Sequence, residues 1–281
     1  MATIKIIKRR IKSAQNIAQI TRAMEMVAAS KMKKAQEEAL LGRAYADKIY
    51  EATKELASRT DKAANPLLSP GNPQGKTLTI LISTNKGLCG GLNSNLYRET
   101  NSWIAKAENA DYISVGKKGE SFIVKSRRNL VADFSDQLPF SQSVPAITQF
   151  LVSGFIEGKY KQVNIVYNAF INALKQAPQK KQILPLAEFE EKNDTFSQFT
   201  IEPDVEDVLE RLIPHYLENQ LRSAMLEGEA SEQSARMIAM KNATDAALDL
   251  MEDLTLSYNR IRQEKITYEI ADTVTARMAL E

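Results

Sequence analysis

From His215 to Glu281 the chain runs for 67 residues with no proline and a single glycine, Gly228. Ala243, Ala247, Leu250, Leu254, Tyr258 and Ile261 recur there at steps of 4, 3, 4, 4 and 3. Such steps trace a seam close to the 3.5-residue period of a left-handed coiled coil. An unbroken helix of this length extends roughly 100 Å, wider than a compact domain of this size, so it must leave the domain and meet a partner. The other end of the chain supplies a candidate. Residues 1–59 also lack proline, hold only Gly42, and carry Ile4, Ile7, Ile11, Ala14, Ile17, Ile20, Met24 and Val27 at steps of three or four. Two long amphipathic terminal helices predict an antiparallel hairpin with a globular domain at one end.

Charge favours that pairing. Residues 1–36 hold nine cations against Glu25 alone, while residues 202–281 hold 17 acidic and 8 basic side chains. Each exposed pair contributes only ~0–1 kcal/mol, but opposite fields disfavour wrong partners. The cluster Lys5 to Lys12 is denser than one seam requires, which marks Lys8, Arg9 and Arg10 for a separate acidic partner.

Overall composition is ordinary. The 281 residues are 43% hydrophobic and 26% charged with a net charge of +2, so no global field points to nucleic acid. One cysteine, Cys89, excludes an intramolecular disulfide and fits a reducing compartment. No apolar run is long enough to span a membrane, and the basic N-terminus lacks the apolar core of a secretory signal.

Between the helices the period changes. A linker over residues 60–75, rich in proline, glycine and asparagine, ends the N-terminal helix (residues 1–59). Residues 76–187 then alternate apolar, β-rich runs with helical stretches. Strands are expected at Thr77–Ser83, Asp111–Val115, Asn129–Phe134, Gln162–Phe170 and, broken by Pro185, Lys181–Leu186. Helices are expected from Asn93, from Glu120 and from Val144. This predicts a small open, mostly parallel, Rossmann-like α/β sheet. A polar connection (188–203) leads to the C-terminal helix (204–281), which Pro214 either kinks or opens.

The chemistry-bearing candidates are few. Gly71 to Thr77 superficially resembles a phosphate loop, but it is one residue short and precedes a strand instead of joining strand to helix. Asn85 to Asn95 follows the first strand and opens a helix, where doubly wound sheets bind ligands. It lacks the dinucleotide spacing, no acidic residue ends the second strand to hold a ribose, and a tight turn that needs glycine explains it better. Cys89 has no base near it in sequence, and His215 is the only histidine. No metal, cofactor or catalytic set is expected. A coiled-coil tether with an α/β hinge and a small-ligand enzyme with a helical arm both remain compatible with these patterns.

Three blocks carry a resemblance: ITRAMEMVAASKMKKAQ (Ile20 to Gln36), ASEQSARMIAMKNATDAA (Ala230 to Ala247) and LTLSYNRIRQEKIT (Leu254 to Thr267). With GLCGGLNSN (Gly87 to Asn95), they are similar, in order and over nearly the whole chain, to the gamma subunit of rotary F-type ATP synthases. Thr275 stands where that family places a glycine. The resemblance implies a non-catalytic central rotor shaft coupling ion flow to ATP synthesis or hydrolysis. It implies as partners the alpha and beta subunits of the catalytic ring, the epsilon subunit and the membrane c-ring, with no nucleic acid and no bound nucleotide. It also implies a peripheral position on the cytoplasmic face of a bacterial cell membrane. Together with the charge and length arguments, it marks Lys8, Arg9, Arg10, Met24, Arg260, Arg262, Gln263, Val274, Met278 and Leu280 as partner contacts. On the length argument, Thr273 to Glu281 overhangs the shorter helix.

Overall fold

The computed structural model describes residues 2–59, 65–104, 109–136, 139–186, 202 and 204–278. Helix α1 (Ala2–Arg59) and helix α5 (Val205–Met278) are the first and last elements. Between them lie β1 (Lys76–Ile82), α2 (Leu92–Trp103), β2 (Ala110–Val115), α3 (Lys117–Lys125), β3 (Asn129–Asp133), α4 (Val144–Ile156), β4 (Tyr160–Phe170) and β5 (Gln176–Leu184). Strand order is β3-β2-β1-β4-β5. The first four strands pair in parallel and β5 returns antiparallel to β4. The fold is the expected mixed α/β one, with a mostly parallel sheet between long terminal helices.

The chain divides into two compact units, Met1–Ala28 with Arg236–Glu281, and Ala29–Ala235. In the larger unit β1 is buried on both faces, as its unbroken apolar run requires. One core joins Leu78, Ile80, Ile113 and Ile165 of the sheet to Leu56 of α1 and to Leu209, Ile213, Leu217 and Leu221 of α5. A smaller core on the other face packs Leu81, Tyr112 and Val166 against Leu96 and Ile123. Tyr50 of α1 meets the Tyr216 ring with centroids 6.2 Å apart, and Glu38 of α1 acts electrostatically on Glu229 of α5. Numbers rise on one helix as they fall on the other, so the two are antiparallel.

Of the two readings of Pro214, the structure has the proline inside the C-terminal helix. That helix begins at Val205, capped by the Asp204 carboxylate, which accepts the Asp207 N–H at 2.8 Å. An interior proline costs ~3 kcal/mol, but Leu209, Ile213, Leu217 and Leu221 form a fully buried stripe across it, and each such side chain returns ~1.5–3 kcal/mol. The fifth strand starts at Gln176 instead of Lys181 and tolerates Pro178 because it is an edge strand.

The linker glycines have a packing role. A Cβ on Gly71 would stand 2.3 Å from the Lys161 carbonyl oxygen, and one on Gly75 2.8 Å from the Lys161 nitrogen. The segment that resembled a phosphate loop is thus laid backbone to backbone along the start of β4.

Candidate functional site

Two places could carry function: the carboxyl ends of the central strands, and the surface of the smaller unit.

In a doubly wound sheet the ligand crevice opens where strand order reverses, here between β1 and β4. The turn after β1 is held by its own polar groups. Thr84 donates its hydroxyl to the Lys86 carbonyl at 2.8 Å and accepts Asn93 Nδ2 at 2.7 Å. Asn85 donates to the Ser135 carbonyl and accepts the Lys117 N–H. Leu88 and Gly90 adopt φ of 63° and 58°, so the glycine-rich stretch serves turn geometry. Cys89 is buried, with Asn93 Nδ2 3.6 Å from its sulfur, while His215 is exposed on α5 beside Glu218 at 3.7 Å. The structure gives the thiol no imidazole.

Helix α5 fills the crevice. A Cβ on Gly228 would lie 3.3 Å from Ile82 Cγ2, so glycine lets α5 settle on the end of β1. Ser231 donates to the Asn168 carbonyl at 2.9 Å, and Ser234 donates to the Ala173 carbonyl at 2.5 Å. What remains is a cavity of about 10 Å³, far below the ~300–1,000 Å³ of a small-molecule site. The packing leaves no cavity of that size at this turn. A larger open groove, about 780 Å³, runs beside Ala39, Gly42, Ala46 and Tyr50 of α1 and Arg222, Leu226 and Glu227 of α5. It carries both charge signs and no histidine or cysteine.

The smaller unit has an unusual surface. On α1, Ile4, Ile7, Ile11, Ala14, Ala18, Thr21, Glu25 and Ala28 are buried or half-buried at strictly alternating steps of 3 and 4, with Met24 half-buried beside them. On α5 the corresponding set is Met240, Thr244, Ala247, Met251, Leu254, Tyr258 and Ile261. The hydroxyls of Thr21 and Thr244 hydrogen-bond across the seam at 2.7 Å. Ile17, Ile20, Val27 and Leu250, which belonged to the expected seam, point outward instead. At about 100° per residue, three successive steps of three swing a side chain well off the contact line. The seam turns there to alanine and threonine, and small residues allow close approach. Ile20 is 60% exposed, Met26 63%, Leu256 64% and Met278 74%.

Of the marked contacts, Lys8, Arg9, Arg10, Arg262 and Gln263 are exposed on this unit, as is Arg260, whose Nε bonds Glu264 Oε1 at 3.1 Å. Met24 is half-buried beside the seam, Val274 and Met278 are exposed, and Leu280 lies outside the described residues. The exposed end of α5 is longer than the overhang from Thr273. Beyond Ile261 every described residue except the half-buried Lys265 is exposed, Ile266, Tyr268, Ile270 and Val274 among them. The length argument assumed both helices leave the sheet at equal height, and α5 begins ten residues earlier than that argument supposed. The missed contact candidates were Ile17, Ile20, Met26, Val27, Leu248, Leu250 and Leu256. A strict test for alternating steps of three and four would have found most of them.

A helix pair that leaves large apolar side chains such as Ile20, Met26, Leu250 and Leu256 in water beside its seam is built to be enclosed by something else. A family model described as ATP synthase matches residues 3–280. The ATP synthase gamma chain of Roseiflexus castenholzii is 40% identical over 287 residues, 100% of this chain and 99% of that one. That of a Dehalococcoides mccartyi strain is 42% identical over 286 residues, the whole of both. The chain belongs to the ATP synthase gamma-chain family. Among solved structures, a chain of the central stalk and c-ring assembly of Tetrahymena thermophila mitochondrial ATP synthase matches with TM-score 0.60 and 26% identity. That match covers 80% of this chain and 99% of the other. A chain of Euglena gracilis mitochondrial ATP synthase shares the fold, with TM-score 0.73 at 20% identity over 99% and 95% of the two chains. This gamma chain is a subunit of an ATP synthase, and its role is that of the central rotor shaft. Among the described residues no helix is long and apolar enough to cross a membrane.

Proposed function

We propose that this gamma chain works without catalytic residues of its own, as a turning cam inside a ring of alpha and beta subunits. The observation that carries the reading is the exposed apolar surface of the smaller unit, from Ile17 and Ile20 on α1 to Val274 and Met278 on α5. A ring lumen that encloses it supplies the apolar sleeve that water cannot. Because the exposed residues of α1 differ from those of α5, the surface has no rotational symmetry, and each catalytic site meets a different face as the shaft turns. Lys8, Arg9 and Arg10 meet acidic loops of the ring; Arg260, Arg262 and Gln263 add polar contacts from α5. The α/β unit docks on the epsilon subunit and the c-ring, at the cytoplasmic face of a bacterial cell membrane. Its crevice, filled by α5, leaves no room for a nucleotide, and the chain's net charge of only +2 does not favour nucleic acid. The test is reconstitution of the full chain with alpha and beta subunits, a bead attached to the α/β unit, and single-molecule observation on addition of ATP. Stepwise one-way rotation is expected; a ring that turns over ATP while the bead stays still overturns the reading.

A further inference from the structure

We infer that the small cavity at the switch point is a binding site for one structural water that bridges the end of β4 to α5. Asn168, only 4% exposed, lines the cavity, and its side-chain oxygen has no hydrogen-bond partner. The polar side chains around it are Ser83, Thr84, Glu229 and Glu232. Neither hydroxyl has a proton to spare. Ser83 donates to the Gly116 carbonyl at 3.1 Å while accepting the Gly119 N–H at 2.7 Å. Thr84 donates to the Lys86 carbonyl. The two glutamates that line the same cavity are acceptors when ionised, so the polar side chains around Asn168 offer its Oδ1 no proton.

Two acceptors cannot bond each other, and a donor must stand between them. The volume, about 10 Å³, is at the lower limit for holding one water. A water has two protons to give, one to Asn168 and one to a carboxylate, and accepts from neither. Gly228 and Ile82, which pack against each other, both line this cavity. The site therefore belongs to the joint between shaft and sheet: the water satisfies the sheet end while α5 lies over it.

A high-resolution crystal structure of the full wild-type chain tests this directly. A peak at about 2.7–3.0 Å from Asn168 Oδ1 is the expected result. An empty cavity overturns the inference, and so does a peak at about 2.0–2.4 Å, which denotes a metal cation. In solution, oxygen-17 relaxation dispersion should count one long-lived water fewer in Asn168→Leu than in wild type, at unchanged circular dichroism. An unchanged count overturns it too. If Asn168→Leu does not fold, the wild-type structure decides alone.

Discussion

At the scale of single residues, backbone geometry makes the sharpest demands. Gly116 sits at φ 109°, and a Cβ there would lie 2.3 Å from the Ser83 carbonyl oxygen. Gly116→Ala combines a left-handed strain with a backbone clash and should cost more than about 2 kcal/mol. Urea denaturation checks this, and a loss below half that value means the turn relaxes freely. Glu229 gives a pH signature. Burial, and then the Glu38 carboxylate, raise its pKa above the ordinary 4.5, with Lys31 and Lys34 opposing. In the folded state the proton is held more tightly than in the unfolded one. Ionisation is therefore a penalty that is absent below pH 4.5 and grows as pH rises through the folded value. Glu229→Gln should melt slightly higher than wild type at pH 7, by less than about 0.5 kcal/mol because much of the side chain is in water. The difference should vanish near pH 4. A variant less stable at pH 7 would mean that the lysines dominate.

At the scale of elements, the two ends of α5 have different duties. From Met240 to Ile261 it has a seam, while from Ile266 to Met278 every described residue is exposed. Deleting Thr273 to Glu281 should leave assembly intact and rotation slower but present. Ala247→Pro removes a backbone hydrogen bond in the seam and kinks the helix, at ~3 kcal/mol or more. It should abolish coupled rotation. Single-molecule rotation of both variants separates the roles, and the reverse outcome rejects the division. The isolated chain should show the same contrast in hydrogen exchange: slow amides in β1, β2 and β4, whose strands are buried, and fast ones in residues 1–28 and 250–278. Uniform protection would mean that the seam alone stabilises the helix pair.

For the whole molecule, charge sets how the shaft meets its ring. Reversing Lys8, Arg9 and Arg10 to glutamate should reduce coupling between ATP turnover and rotation several-fold at low salt, with the gap narrowing as ionic strength rises. Normal coupling at low salt would make the cluster a solvated face. The ion pairs formed by Lys33 with Glu37 and by Arg260 with Glu264 run along one helix, so they add little to partner choice.

The sequence by itself determined the α/β class, the two long helices and where along the chain the first four strands lie. Those depend on local periodicity and on breakers such as Pro66, Pro70 and Gly75, which act over a few residues. Family membership was equally legible, because ordered blocks such as Ala230 to Ala247 match regardless of fold. Three things waited for the tertiary structure. Pro214 stays inside α5 because the sheet core buries the stripe on either side of it, a gain that no local propensity contains. The glycines at 71, 75 and 228 are explained by what lies against them, Lys161 and Ile82, far away in sequence. The seam took Ala18 and Thr21 over Ile17 and Ile20, since a helix pair selects residues by direction at a fixed period and hydropathy alone carries no direction.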